Sequence, residues 1–114
     1  MLRVEPADLA IAHELILEYA RATGLDLSFQ GFGDEIQHLD TYYEAIFLAR
    51  WHDEPAGCVA LRRIDATTSE MKRLYVRPAF RGKDVGRALA IRVIDEARGR
   101  GYRRMLLDTL PTMT

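Results

Sequence analysis

The chain has 114 residues, of which 48% are hydrophobic and 29% are charged, and its formal net charge is −1. These values fit one folded domain and exclude a generally disordered chain, and no apolar run approaches the roughly 20 residues that a membrane span requires. Since the first residues lack the pattern of a secretory signal and Cys58 is the one cysteine, we expect a cytoplasmic protein without an internal disulfide.

The N-terminal third predicts a short strand followed by helices. Leu2–Val4 alternates as a strand does, and Pro6–Asp8 supplies residues typical of a first helical turn. Gly24 is a stop signal for this helix, beyond which we predict a loop over 25–34 and a short helix over about Asp34–Leu39. The apolar positions of the first helix recur at three- and four-residue spacing: Leu9, Ala12, His13, Ile16, Leu17 and Ala20.

The middle of the chain predicts three strands. Ala45–Trp51 and Cys58–Arg63 are apolar runs separated by turn-forming residues at 52–57, which is typical of a β-hairpin. Ser69–Val76 predicts a third strand, and Pro78 ends it because proline cannot donate to a sheet ladder.

The last third predicts a β-α-β unit. A glycine-containing turn over 81–87 leads into a helix from Val85 or Gly86 to about Arg98, and Met105–Thr109 predicts the next strand. A strand, a helix and a strand in this order indicate a parallel pair with a right-handed crossover.

Charge is distributed unevenly along these elements. Residues 1–70 hold 5 Lys/Arg and 13 Asp/Glu, a net of −8, whereas residues 71–104 hold 11 and 3, a net of +8. A basic segment of this kind indicates an anionic ligand, and nucleic acid, a phosphorylated cofactor and an acidic partner all qualify. The alternative is a solvated helix face that pairs with the acidic half. Because the aromatic residues do not interleave with the basic ones, nucleic acid is disfavoured.

The turn over 81–87 carries the strongest indication of chemistry. It ends at a helix N-terminus, where unpaired amides and the helix dipole favour an anion. Two glycines let the backbone approach a ligand, and three basic side chains add positive charge, so the turn predicts a phosphate cradle suited to a diphosphate. Its spacing is neither that of a Walker loop nor that of a dinucleotide fingerprint. The alternative is a tight turn whose glycines serve geometry alone.

This stretch resembles the acyl-coenzyme A binding motif of the GNAT superfamily of N-acetyltransferases, Arg/Gln-x-x-Gly-x-Gly/Ala. Arg81 would be its first position, Asp84 its middle one and Gly86 its last. Members usually carry glycine where Asp84 stands, and that position often needs a positive φ, which aspartate tolerates better than most residues. The similarity extends over Glu70–Pro78 and Gly101–Pro111, so the order of elements covers nearly the whole chain.

The resemblance implies an α/β fold with a mixed sheet, the GNAT-like acyl-CoA N-acyltransferase fold, in one domain over 1–114. Residues 1–44 would form the acceptor side, 45–68 a β-hairpin and 69–110 the acyl-CoA binding unit. Family members usually continue with a helix, whose tyrosine protonates the leaving thiolate, and with one or two further strands. The sequence given has no counterpart of these. We therefore expect the apolar edge of the last strand to pair with a second copy as a homodimer.

The resemblance also implies the site. Acetyl-CoA would be the cosubstrate, a small-molecule or peptide amine would attack its thioester directly, no metal would take part, and Glu70 would be the general base. The acidic and aromatic stretch over 25–44 would either bind a cationic amine or form an ordinary solvated surface. Cys58 is expected to be a small core residue. The residues that would bind the cosubstrate are Leu74, Tyr75, Val76, Arg81, Gly82, Lys83, Asp84, Val85, Gly86 and Arg87.

Two other functions remain open at the level of the sequence. One is a catalytically impaired CoA-binding or interaction module of the same fold. The other is a small nucleic-acid-binding protein that uses the basic segment 71–104, for which steeply salt-dependent binding is expected.

Overall fold

The computed structural model describes residues 1–24 and 32–107. Five strands form a single mixed sheet in the order β1-β2-β3-β4-β5. The first four strands are antiparallel neighbours, and β4 and β5 are parallel, which confirms the predicted α/β fold and its parallel pair. The elements are β1 (Leu2–Pro6), α1 (Leu9–Ala22), α2 (Phe32–Gln37), α3 (Leu39–Tyr42), β2 (Ala45–Trp51), β3 (Glu54–Arg63), β4 (Thr68–Val76), a 3-10 turn (Pro78–Phe80), α4 (Val85–Gly99) and β5 (Arg104–Leu107).

Helix α1 begins later than the sequence predicts, at Leu9, because Pro6 is the last residue of β1 and Asp8 precedes the first turn. The carboxylate of Asp8 accepts hydrogen bonds from the backbone N–H groups of Ala10 at 2.9 Å and Ile11 at 3.3 Å, so Asp8 caps the helix. The predicted short helix is present but begins earlier, at the start of α2, and a second short helix, α3, follows it. The loop predicted over 25–34 is therefore wrong from residue 32 onward, and residues 25–31 lie outside the described residues.

The turn predicted over 52–57 is wrong for its last four residues. It contains two residues, His52 and Asp53, both with positive φ (50° and 70°), as tight hairpin turns require. Strand β3 therefore starts at Glu54. Pro55 is accommodated in it because the register of β2 and β3 shifts at Ala49/Arg50, and a bulge tolerates a residue that cannot donate.

Each face of the sheet is covered by helices. Helix α1 packs on one face, on a core that includes Leu48, Cys58 and Ala60. Helix α4 packs on the other face, against Phe47 and Val59 among others. Strands β2 and β3 are buried on both sides, which explains why they are continuous apolar runs in the sequence.

Candidate functional site

Within the described residues, β5 pairs with only part of β4. Strand β5 pairs with the first four residues of β4, from Thr68↔Arg104 to Met71↔Leu107. Among the described residues, no strand lies beside Lys72–Val76 on that edge. Asp108 and Thr109, which the sequence assigned to the last strand, lie outside the described residues. An open strand edge is a template for an extended ligand, and it contains the predicted binding residues Leu74, Tyr75 and Val76.

A β-bulge interrupts β4 just beyond the residues that pair with β5. Lys72 pairs with Ala60 and Tyr75 pairs with Cys58, so two residues of β4, Arg73 and Leu74, oppose one residue of β3. Arg73 has a φ of 58°, in the left-handed region, which costs a residue with a side chain about 1–2 kcal/mol. The bulge therefore requires compensating contacts elsewhere in the structure.

The turn between β4 and α4 has the geometry of an anion site. Asp84 precedes the first residue of α4 with a φ of 62°, as the sequence predicts for this position, and its side chain makes no capping hydrogen bond. Gly82 also has a positive φ, of 82°. The side chain of Asp84 therefore leaves the first N–H groups of α4 uncapped, and the helix dipole adds partial positive charge there.

A hollow of about 310 Å³ opens beside this turn. Most of the predicted binding residues meet around it, but Lys83 does not: its Nζ atom lies 5.2 Å from the centroid of the Trp51 ring. Leu74 and Tyr75 are also outside the lining, since their side chains pack into the two cores. The lining residues are Val76, Phe80, Arg81, Gly82, Asp84, Val85, Gly86 and Arg87.

The hollow fits a phosphorylated ligand. Arg81 and Arg87 are exposed cations at its rim, and Nε of Arg81 donates to the backbone oxygen of Val76 at 3.2 Å. A Cβ atom added to Gly86 would meet only the side chain of Val76, at 3.5 Å, which is an ordinary contact. The packing of the chain therefore does not require a glycine at this position, whereas close approach by a ligand would.

At position 57, in contrast to position 86, the packing of the chain does require a glycine. A Cβ atom at this buried glycine would lie 2.4 Å from the backbone oxygen of Tyr75, a distance that real Cβ atoms do not show. Strand β3 thus approaches β4 so closely that only glycine fits opposite the open edge.

An ion pair joins α1 to the end of β4. The guanidinium of Arg77 donates to both carboxylate oxygens of Glu18, from Nε at 3.0 Å and from Nη2 at 2.5 Å. The Tyr75 hydroxyl also donates to Glu18, at 3.4 Å, and burial together with the charge of Glu18 raises the pKa of Tyr75. The sequence does not reveal this contact because its partners are 59 residues apart.

Glu70, the predicted general base, lies on β4 before the bulge. Its neighbour Met71 belongs to the core under α4, so the alternation of the strand directs Glu70 to the face covered by α1. Its carboxylate is 19% exposed and lies 3.9 Å from Nη1 of Arg62. Glu70 is not part of the hollow at the turn. It therefore stands apart from the anion site, on the side assigned to the acceptor.

Glu35 and Tyr43 are buried, so their placement in an acidic, aromatic surface stretch is wrong. Glu35 is 1% exposed and accepts two hydrogen bonds from Arg73, Nε to Oε2 at 2.8 Å and Nη2 to Oε1 at 2.7 Å. The Tyr43 hydroxyl donates to Oε2 at 2.5 Å. Burial opposes ionisation of Glu35, but these hydrogen bonds outweigh it and lower its pKa. Asp34, Asp40 and Glu44 are exposed as expected, and Asp26 lies outside the described residues.

Cys58 is a core residue, as predicted. It is 1% exposed, and its Sγ–H donates to the backbone oxygen of Arg73 at 3.5 Å. Burial raises the pKa of Cys58 to about 12, so the thiol stays protonated near neutral pH and is a poor nucleophile.

A second hollow, of about 340 Å³, lies toward the other end of α4. Its two arginines are paired with a carboxylate of the same wall: Glu96 contacts Arg92 at 3.0 Å and Arg100 at 2.8 Å. Its lining includes the first residue of α1, Leu9, but Asp8 already caps that helix, and the acidic side chains Asp40, Glu44 and Glu96 also line it, so the site at the turn has the better chemistry for an anion. Within residues 1–24 and 32–107, no helix is long and apolar enough to cross a membrane. The same residues contain no group of three or more His, Cys, Asp or Glu arranged for a metal ion.

Comparisons with known proteins agree with this geometry. Residues 11–113 match the family model described as the acetyltransferase (GNAT) family. An uncharacterized N-acetyltransferase of Schizosaccharomyces pombe is 38% identical over 114 aligned residues, which cover 95% of this chain and 70% of the relative. Among solved structures, an acetyltransferase from Streptococcus agalactiae is 26% identical with a TM-score of 0.76, covering 96% of this chain and 74% of that one. A GNAT family acetyltransferase from Elizabethkingia anophelis, solved with acetyl-CoA bound, is 25% identical with a TM-score of 0.71, covering 95% and 65%.

Proposed function

This chain belongs to the acetyltransferase (GNAT) family, and on that premise we propose that it transfers the acetyl group of acetyl-CoA to a primary amine of a small molecule or peptide. One observation carries the proposal: the open edge of β4, from Lys72 to Val76, leads directly into the hollow at the N-terminus of α4. A ligand with an extended arm and a diphosphate matches these two features in that order. The acetyl-CoA bound to the solved relative from Elizabethkingia anophelis is a ligand of this kind.

Different residues of the chain would bind different parts of acetyl-CoA. The backbone of Leu74, Tyr75 and Val76 would hold the pantetheine arm as an added strand would be held. The amides from Arg81 to Arg87 would hold the diphosphate, and Gly86 would let it come close to the backbone. Lys83, which packs over Trp51, would add positive charge at one side without lining the hollow.

Glu70 is the proposed general base. Bound acetyl-CoA supplies an activated acyl group, and the acceptor amine must lose a proton in order to attack it. The Glu70 carboxylate would take that proton, directly or through a water molecule. Its place on the face covered by α1, two residues before the open edge begins, supports this role. Residues 1–44 would form the wall on the acceptor side.

Two measurements test the proposal. Acetyl-CoA should raise the melting temperature of the protein and adenosine should not, while Gly86→Asp should abolish the shift by placing a side chain and a negative charge against the diphosphate. Release of free thiol from acetyl-CoA in the presence of a panel of amines then tests turnover.

The outcomes separate the alternatives. Binding with release shows the enzyme, whereas binding without release on any amine indicates an impaired CoA-binding module. If acetyl-CoA does not stabilise the protein, both functions are excluded. Steeply salt-dependent binding of DNA or RNA in its place would then indicate a nucleic-acid-binding protein.

A further inference from the structure

A buried network connects α2 to the bulge of β4. Glu35 lies on α2 and its carboxylate accepts hydrogen bonds from Arg73, which is in the bulge. Tyr43, which follows α3, donates its hydroxyl hydrogen bond to the same carboxylate. Glu35 is 1% exposed and Arg73 is 5% exposed. The proposed transfer reaction gives these three side chains no direct contact with the acceptor or with acetyl-CoA, and a core does not need a buried ion pair for stability.

The contacts fix the direction of the Arg73 side chain. Its Nε and Nη2 atoms each donate to a different oxygen of Glu35, so the pair is bidentate. The guanidinium also lies over the ring of Tyr19, with the central carbon 5.4 Å from the ring centroid. Because the Tyr43 hydroxyl holds Glu35 in turn, the guanidinium has one well-defined position.

This fixed side chain also constrains the backbone. Arg73 has a φ of 58°, and a residue with a side chain keeps such a conformation only where its surroundings impose it. The thiol of Cys58 bonds to the Arg73 carbonyl on the β3 side, at 3.5 Å, but a thiol is a weak donor. Loss of the two hydrogen bonds to Glu35 would remove the ion pair that holds the Arg73 side chain, and we expect the bulge to shift as the backbone relaxes toward negative φ.

A shift of the bulge would change the site. The bulge, at Arg73 and Leu74, lies within the open edge, just after the part of β4 that pairs with β5 and ends at Met71. The conformation of Arg73 therefore sets the direction in which the edge groups of residues 72–76 point.

We propose that Glu35 and Tyr43 are positioning residues that act through Arg73, holding the β4 bulge so that the open edge is shaped for the acyl-pantetheine arm of acetyl-CoA. This inference rests on the proposed function. The network should affect binding of the acyl-pantetheine arm and not of the phosphates, because none of its three residues lines the anion site at the N-terminus of α4.

The experiment compares two ligands by isothermal titration calorimetry. Acetyl-CoA uses both the open edge and the anion site, whereas adenosine 3′,5′-bisphosphate lacks the pantetheine arm. Tyr43→Phe removes one hydrogen bond from the network and keeps the ion pair. The double variant Glu35→Leu/Arg73→Met removes both charges together, which avoids leaving either one buried and unpaired. Tyr102→Phe is the control for the first variant, because the Tyr102 hydroxyl bonds to Glu44, away from β4.

The expected result is selective. The double variant should bind acetyl-CoA about tenfold or more weakly, since small misplacements of a binding group have effects of this size, and its affinity for adenosine 3′,5′-bisphosphate should change less than about twofold. Tyr43→Phe should show the same selectivity to a smaller extent, and Tyr102→Phe should show none.

Other outcomes overturn the inference. If the double variant is folded and loses both ligands equally, or neither, the network has a structural role alone, while the proposed function stands. If the wild-type protein binds neither ligand, the proposed function fails, and this inference fails with it.

Discussion

Gly86→Ala tests whether the glycine at this position is required for folding or for ligand binding. The added Cβ atom would meet only Val76, at an ordinary contact distance of 3.5 Å, so the folded chain accepts it. Alanine in place of glycine in a helix stabilises by about 0.5–1 kcal/mol, which raises the melting temperature of a domain of this size by about 2–5 °C. The same methyl group would hold a phosphate oxygen beyond hydrogen-bonding distance of the amide. Losing one charge-assisted hydrogen bond costs about 1.5–3 kcal/mol, or roughly 10- to 150-fold in affinity.

The assay is thermal unfolding with and without acetyl-CoA. At a ligand concentration about 100 times the dissociation constant, the wild type should gain about 2.7 kcal/mol. For a variant that binds tenfold more weakly, the gain at that concentration falls to about 1.4 kcal/mol. Gly99→Ala is the matched control, because it adds the same methyl group to the last residue of α4, where nothing lies within 4 Å of the new atom.

Two results would refute the reasoning. If Gly86→Ala without ligand is less stable than the wild type, the glycine serves the fold, and the hollow is not evidence for a ligand. If the variant is folded and acetyl-CoA stabilises it as much as it stabilises the wild type, the diphosphate does not approach this backbone. Gly99→Ala should keep the full ligand-induced shift.

Three further predictions follow from the site and its surroundings. Glu70→Gln should lower kcat by about 10²-fold or more at unchanged affinity for acetyl-CoA, because a general base contributes that much to the rate. The fold should tolerate the substitution, because the ion pair of Glu70 with Arg62 is long and partly exposed. An unchanged kcat would exclude Glu70 as the base. The hydrogen bond from Arg77 lowers the pKa of Glu18 below its ordinary value of 4.5, so the pair stabilises the fold above about pH 4.5 and its contribution is lost as the pH falls through the lowered pKa. Urea unfolding should therefore find Glu18→Gln less stable than the wild type at pH 7, with a deficit that shrinks as the pH is lowered to 3, and an equal deficit at both values would contradict this assignment. Leu107 on β5 is 63% exposed, and the predicted dimer through this strand should appear in sedimentation velocity at micromolar concentration and be weakened by Leu107→Lys; a stable wild-type monomer would count against it.

Local signals made much of the fold predictable. A continuous apolar run located β2, and an Asp in place of the motif's usual glycine pointed to a positive φ that Asp84 indeed has. The hairpin turn was placed too broadly, because Pro55 signals a turn in sequence, while a register shift in the structure accommodates it within a strand.

The features that depend on distant contacts could not be predicted. Arg73 appears in the sequence as an ordinary strand residue, since no glycine marks the bulge. Its conformation depends on Glu35, which is 38 positions away, and on Tyr43, which the sequence placed at the surface. Neither spacing nor composition determines a pair of this kind, because a buried ion pair is a property of the assembled core.

The contact between β3 and β4 makes Gly57 a point of genetic vulnerability. Any side chain there would collide with the backbone oxygen of Tyr75, so β4 would have to move away from β3 along the stretch that carries the open edge. A mutational scan scored by activity should therefore find Gly57 as intolerant as the residues of the hollow, even though Gly57 is buried and lines no part of it.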